Sequence, residues 1–132
     1  MALVSHPLVE LVLGCAIEVH RQLGPGLLES SYTKCLTYEF VTHSIPFRTE
    51  VLVPVKYKDV NIDCGYRADL IVEDWLLLEI KSVERLLPIH SAQVITYLKL
   101  SDARQAILIN FNSIRLMDGV KSFLAPRPQP SD

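Results

Sequence analysis

At 132 residues, with 49% hydrophobic and 21% charged side chains, the chain fits one domain around one core and is not disordered. A formal net charge of −2 excludes a bulk electrostatic attraction to nucleic acid, so any such site has to be a local patch. No apolar run approaches the ~20 residues that cross a bilayer, and the apolar N-terminus lacks a basic leader, so neither a membrane span nor a signal peptide is expected.

The first element is a helix. Leu8, Leu11, Val12, Cys15, Val19 and Leu23 recur at helical spacing, Ser5 is placed to cap it, and Pro7 is tolerated in its first turn. Gly24-Pro25-Gly26 stops the helix and turns the chain. A second helix follows over 27–43, with Leu28, Tyr32, Cys35, Leu36 and Phe40 on one face, so the two form a helical hairpin. The stretch from Phe47 to Tyr57 alternates, with Val51, Val53, Val55 and Tyr57 on one side. It predicts a strand in which Pro54 marks an edge or a bulge. After a turn at Lys58-Asp59, strands are expected at 61–72 and 75–81, joined tightly through Glu73-Asp74. Pro88 opens a helix over 88–100, and the short, nearly continuous apolar run "RQAILINF", residues 104–111, reads as a buried strand. An edge strand is expected near Ser113–Gly119 and a last helical turn over Val120–Leu124. The order α-α-β-β-β-α-β-β points to an α/β domain over 1–124 with a central mixed sheet flanked by helices. Residues 125–132, rich in Pro and polar groups, are expected to be a disordered tail.

Cys15, Cys35 and Cys64 are odd in number and widely spaced. They match no metal spacing, iron–sulfur cluster or disulfide framework, and read as small buried hydrophobes in a reducing cytoplasm.

The chemistry concentrates in "YRADLIVEDWLLLEIKS", residues 66–82. Side chains alternate across a strand, so Glu79 and Lys81 share a face and Leu78 and Ile80 take the other. A turn at Glu73-Asp74 brings Asp69 within a few residues of Glu79. Two carboxylates that close repel and raise each other's pKa, and a divalent cation relieves that repulsion. Acid, acid and lysine so arranged suit metal-dependent hydrolysis of a phosphodiester, the lysine steadying transition-state charge or orienting the attacking water. The same spacing also suits a salt bridge on a solvated sheet face. Glu29 lies at the edge of the second helix's apolar face, where a first-turn acid is also favoured by the helix dipole. Gln93 and Tyr97 share one face of the third helix by their i, i+4 spacing, which ordinary packing also explains. His90, one turn earlier, reads as a capping or packing histidine with a site role as the alternative. Arg67 suits either a phosphate contact or a salt bridge. Arg21, Arg85 and Lys99 are candidates for a local basic patch. Trp75 reads as packing, with base stacking as the alternative.

Taken together, these segments resemble the PD-(D/E)xK nuclease core, a restriction-endonuclease-like α/β fold, with Asp69, Glu79 and Lys81 in the motif positions and Ala68 where proline is usual. Gly26-Leu-Leu-Glu29-Ser-Ser-Tyr32 is similar to the signature of that superfamily's GxxExxY family, and "CGYRADL", "LLPIHSAQVITYLKL" and "ILINFN" resemble its typical segments over residues 8–124. The resemblance implies that Asp69 and Glu79 ligate Mg²⁺ or Mn²⁺, with the Ile80 carbonyl as a further ligand, and that Lys81 acts on the water or the phosphate. It implies that Glu29 corresponds to the first-helix acid of RecB-type and phage-lambda-type exonucleases, holding a water on the metal or a second ion. Gln93 and Tyr97 match the QxxxY motif of the same nucleases, which positions metal-site groups or DNA. The implied function is a Mg²⁺-dependent nuclease acting on DNA, in end processing or repair. The rival is a nucleic-acid-binding or protein-interaction module that kept the fold and lost turnover. A mean hydropathy of +0.24 adds the expectation of a homodimer face.

Overall fold

A computed structural model describes residues 6–126 and 128–131. It contains α1 (Pro7–Leu23), α2 (Glu29–Thr42), β1 (Phe47–Leu52), β2 (Val55–Tyr57), β3 (Val60–Ile62), β4 (Arg67–Val72), β5 (Leu76–Lys81), α3 (Pro88–Leu100), β6 (Gln105–Asn110), a 3₁₀ turn (Leu116–Gly119) and β7 (Val120–Leu124). Five strands form the central sheet in the order β1-β4-β5-β6-β7, and β2 and β3 make a separate hairpin. β5 and β6 run parallel, joined by the α3 crossover, while the other neighbours are antiparallel, so the sheet is mixed as the sequence implies.

The strand alternation sorts the core into two layers. Leu70, Val72, Leu76, Leu78, Ile80, Ile107 and Ile109 pack under α1 and α2. Ile71, Leu77, Ala106 and Leu108 pack against Val94, Tyr97 and Leu98 of α3. β5 and β6 are buried along nearly their whole length, as central strands covered on both faces should be.

Several expectations are corrected. The helix α1 is capped by His6, whose Nδ1 accepts from the Leu8 N–H at 3.0 Å, and Ser5 lies outside the described residues. α2 begins at Glu29, leaving Leu28 at its N-cap and 74% exposed, not on the buried face. Leu11 and Leu23 of α1 are also exposed. The strand expected over 47–57 breaks at Val53-Pro54, because proline has no N–H to give a ladder. β1 is nonetheless the edge strand that Pro54 suggested. The strand expected over 61–72 breaks at Asp63–Tyr66, where Gly65 (φ 83°) turns the chain.

The C-terminal part reverses the expectation. Leu116–Gly119 is a 3₁₀ turn and Val120–Leu124 is a strand, because the outer side of β6 is there to pair with it, and the one buried side chain of the strand, Ser122, accepts from the Gln105 amide at 3.0 Å. The turn fits tightly: a Cβ on Gly119 would lie 2.7 Å from the Asn110 carbonyl oxygen. Beyond β7, Ala125 is buried and its N–H donates to the Arg104 carbonyl at 2.9 Å, and residues 125–126 and 128–131 carry no helix or strand. Cys15 is buried and Cys35 half-buried, but Cys64 is exposed in the β3–β4 loop; all three are free thiols. Among the described residues, no helix is long and apolar enough to cross a membrane.

Candidate active site

The β4–β5 ladder pairs Val72 with Leu76, Ile71 with Leu77 and Leu70 with Leu78, and stops there. One further step of that register sets Asp69 opposite Glu79. From this point side chains fasten the two strands. The Asp69 N–H donates to Glu79 Oε2 at 2.8 Å, and the Ile80 N–H donates to Asp69 Oδ2 at 2.7 Å. These short bonds fix both carboxyl groups at the mouth of a fork in the sheet.

Glu79 is only 3% exposed. Burial, and then the neighbouring charge of Asp69, push its carboxyl up to about 8, against the counter-pull of the Asp69 N–H and Lys81. Burial also raises the Asp69 carboxyl, and the charges of Glu29 and Glu50 add to the rise. The pair thus stands short of positive charge. Lys81, half-buried two residues along β5, lies near enough to pull both acids down.

Two clefts flank the fork. One, of about 480 Å³, is lined by Glu29, Thr33 and Lys34 of α2, by Thr49 and Glu50 of β1, and by Asp69. The other, of about 730 Å³, runs along α3 and is lined by Lys81, His90, Gln93 and Tyr97, together with Val55 and Tyr66. Gln93 Nε2 lies 3.5 Å from the Tyr97 hydroxyl, at the limit of a hydrogen bond. Burial, then the negative charge of Glu79, raises the Tyr97 hydroxyl, which keeps it a neutral donor. The structure therefore brings Glu29, Asp69, Glu79, Lys81, Gln93 and Tyr97 to one end of the sheet. Leu78 and Ile80 point into the opposite core, as alternation requires.

The remaining candidates separate. His90 Nδ1 accepts from the Leu87 N–H at 2.9 Å, so it closes the start of α3 while its ring borders the larger cleft. Arg67 is paired with Asp63 at 3.2 Å and Arg21 with Glu18 at 2.8 Å, both on the surface. Arg85 and Lys99 are exposed. Trp75 is buried, edge-on to the His6 ring at 4.8 Å, and stands roughly 20 Å along β5 from Lys81. Its packing role is the one observed.

Two supports were invisible as such in the sequence. Tyr32, fully buried, stacks on Phe111 at 4.6 Å. Its hydroxyl donates to the Gly24 carbonyl at 2.6 Å and accepts from the Leu27 N–H at 3.1 Å. The Ser82 hydroxyl also donates to the Leu27 carbonyl. The tyrosine of the Gly26–Tyr32 segment thus latches the turn that delivers Glu29. Tyr32→Phe leaves two backbone groups without this partner and is expected to destabilise the fold by about 1–3 kcal/mol in urea melts. Asn110 is the second support: its amide brackets Val83, donating to the carbonyl at 2.9 Å and accepting from the N–H at 3.0 Å. It holds the chain leaving Lys81 against the end of β6.

The donor chemistry suits a hard cation. Among the described residues no group of three His, Cys, Asp or Glu side chains is close enough to enclose a metal. Ligation here rests on two carboxylates plus backbone oxygen, the small protein complement that Mg²⁺-type ions accept, since they keep several waters. Two buried, mutually repelling acids are what such a charge would relieve.

The chain belongs to the PD-(D/E)XK nuclease superfamily, whose family model matches residues 6–123. The match runs from the N-cap of α1 into β7 and includes every element of the fork. No curated protein and no solved structure matches the chain.

Proposed function

We propose that this domain is a divalent-metal-dependent nuclease hydrolysing DNA phosphodiester bonds, with Mg²⁺ or Mn²⁺ held by Asp69, Glu79 and the Ile80 carbonyl. The observation that carries the reading is the fork itself: two acids tied across diverging strands, Lys81 two residues on, and Glu29 over the same opening. A cation bound there supplies charge for the scissile phosphate and activates water for attack.

The chain's own residues do the rest. The Asp69 and Ile80 N–H groups hold the two carboxylates in place, so no side-chain ordering is left to the moment of binding. Lys81 presents its ammonium to the phosphate or to the attacking water, offsetting the charge that builds up in the transition state. Gln93 and Tyr97 offer neutral donors along α3, where a strand of DNA entering the larger cleft would lie. Glu29 adds negative charge on the far side of Asp69. Gly26, Glu29 and Tyr32 support placing the chain in the GxxExxY branch, and Gln93 with Tyr97 supports work at DNA ends over restriction-type cutting.

The test is a panel of labelled linear, nicked, single-stranded and branched DNA with Mg²⁺ or Mn²⁺. Wild type is expected to cut at least one substrate, and Asp69→Asn to lose at least about 100-fold. Equal cutting by wild type and Asp69→Asn would place the chemistry elsewhere. A wild type that binds DNA tightly and never cuts would turn the reading to the binding module.

A further inference from the structure

Five non-glycine residues among those described have positive φ. Ser44, Lys58, Glu73 and Asp74 lie in turns, where such angles are ordinary. Glu50, at φ 50°, lies inside a strand. The left-handed region costs an L-residue without a local turn about 1–2 kcal/mol, and glutamate has no special tolerance for it. The β1–β4 register shows where the irregularity falls. Thr49 pairs with Leu70 and Val51 with Ala68, and the step between them, Glu50 opposite Asp69, is missing from the ladder. The distortion is therefore one residue long and sits across from the acid at the fork. Glu50 lies in the lining of the smaller cleft with Glu29 and Asp69.

We infer that Glu50 is a further positioning residue of the cation site, set across from Asp69 by the β1–β4 register and held there in a left-handed backbone conformation. This rests on the metal-dependent reading above. Since among the described residues no three acids close on one point, Glu50 acts at a distance, through the water shell that a Mg²⁺-type ion retains. An irregular residue at a sheet edge that re-aims a side chain beside a site is a recurrent use of local strand distortion.

The test is a Mn²⁺ titration of the full chain, read by electron paramagnetic resonance of free Mn²⁺ and by melting temperature. Wild type, Glu50→Gln, Glu50→Gly and Asp69→Asn are compared. Glu50→Gln should weaken Mn²⁺ binding about 5- to 20-fold, the size of one lost charge–cation interaction in a partly solvated site. Glu50→Gly should weaken it similarly while raising the melting temperature of the metal-free protein by a few degrees, because glycine adopts positive φ without strain. A residue with only a structural role would shift the metal-free melting temperature and leave the Mn²⁺ Kd alone. Wild-type Kd values in both Glu50 variants, with binding lost in Asp69→Asn, overturn this inference and leave the metal site standing. No Mn²⁺ uptake by wild type overturns both.

Discussion

Glu79→Gln should raise the melting temperature of the metal-free protein at pH 8 by on the order of 10 °C, and should flatten its dependence on pH. Glu79 is buried, and its carboxyl is held at about 8 against an ordinary 4.5. Between those values the folded chain keeps a proton that the unfolded chain has released, so stability falls as pH rises through the window. Below 4.5 both states are protonated and the penalty vanishes. Above about 8 both are ionised and it is complete, on the order of 3–5 kcal/mol at 1.36 kcal/mol per pKa unit. Asp69, also raised, contributes with the same sign. Glutamine keeps an oxygen for the Asp69 N–H and has no charge to bury. Melting curves in chelator from pH 5 to pH 9 check this. A wild type that gains stability toward pH 9, or a Glu79→Gln variant that is less stable than wild type at pH 8, would contradict it.

Lys81→Ala should lower the rate of DNA cleavage by about 10²–10³-fold while leaving Mn²⁺ binding and the melting temperature close to wild type. Lys81 ends β5 half-buried, facing the larger cleft, and the core on the opposite face of the strand is made by Leu78 and Ile80. Its removal takes away a positive charge without opening a cavity in either core layer. Single-turnover cleavage beside a Mn²⁺ titration separates the two roles. A variant that unfolds, or that cuts at the wild-type rate, would remove Lys81 from the proposed chemistry.

The parts of the fold that were legible in the sequence are those whose neighbours in space are also near in the chain. β4 and β5 are one hairpin, so the turn and the alternation of "YRADLIVEDWLLLEIKS" were enough to set Asp69 against Glu79. The faces of Leu78, Ile80 and Lys81 followed from the same alternation. The α3 crossover put Gln93 and Tyr97 beside that strand for the same reason. What was not legible depends on distant partners. Val120–Leu124 becomes a strand because β6 is there to receive it, and nothing within five residues says so. Leu28 looks like part of a buried helical face until the turn held by Tyr32 shows where α2 begins. Glu50 gave no signal at all, since positive φ usually announces itself through Gly, Asn or Asp, and here the residue is glutamate within an alternating strand.

The two acids at the fork also hold the strands where the ladder has run out. This gives them a second occupation with its own selective weight. Loss of hydrolysis alone would not free these positions: each can give way only to a side chain that keeps an acceptor oxygen for the facing N–H, as glutamine does at Glu79. In such a scaffold the acceptor oxygen at each position is a record of architecture, and only the charge it carries is a record of turnover.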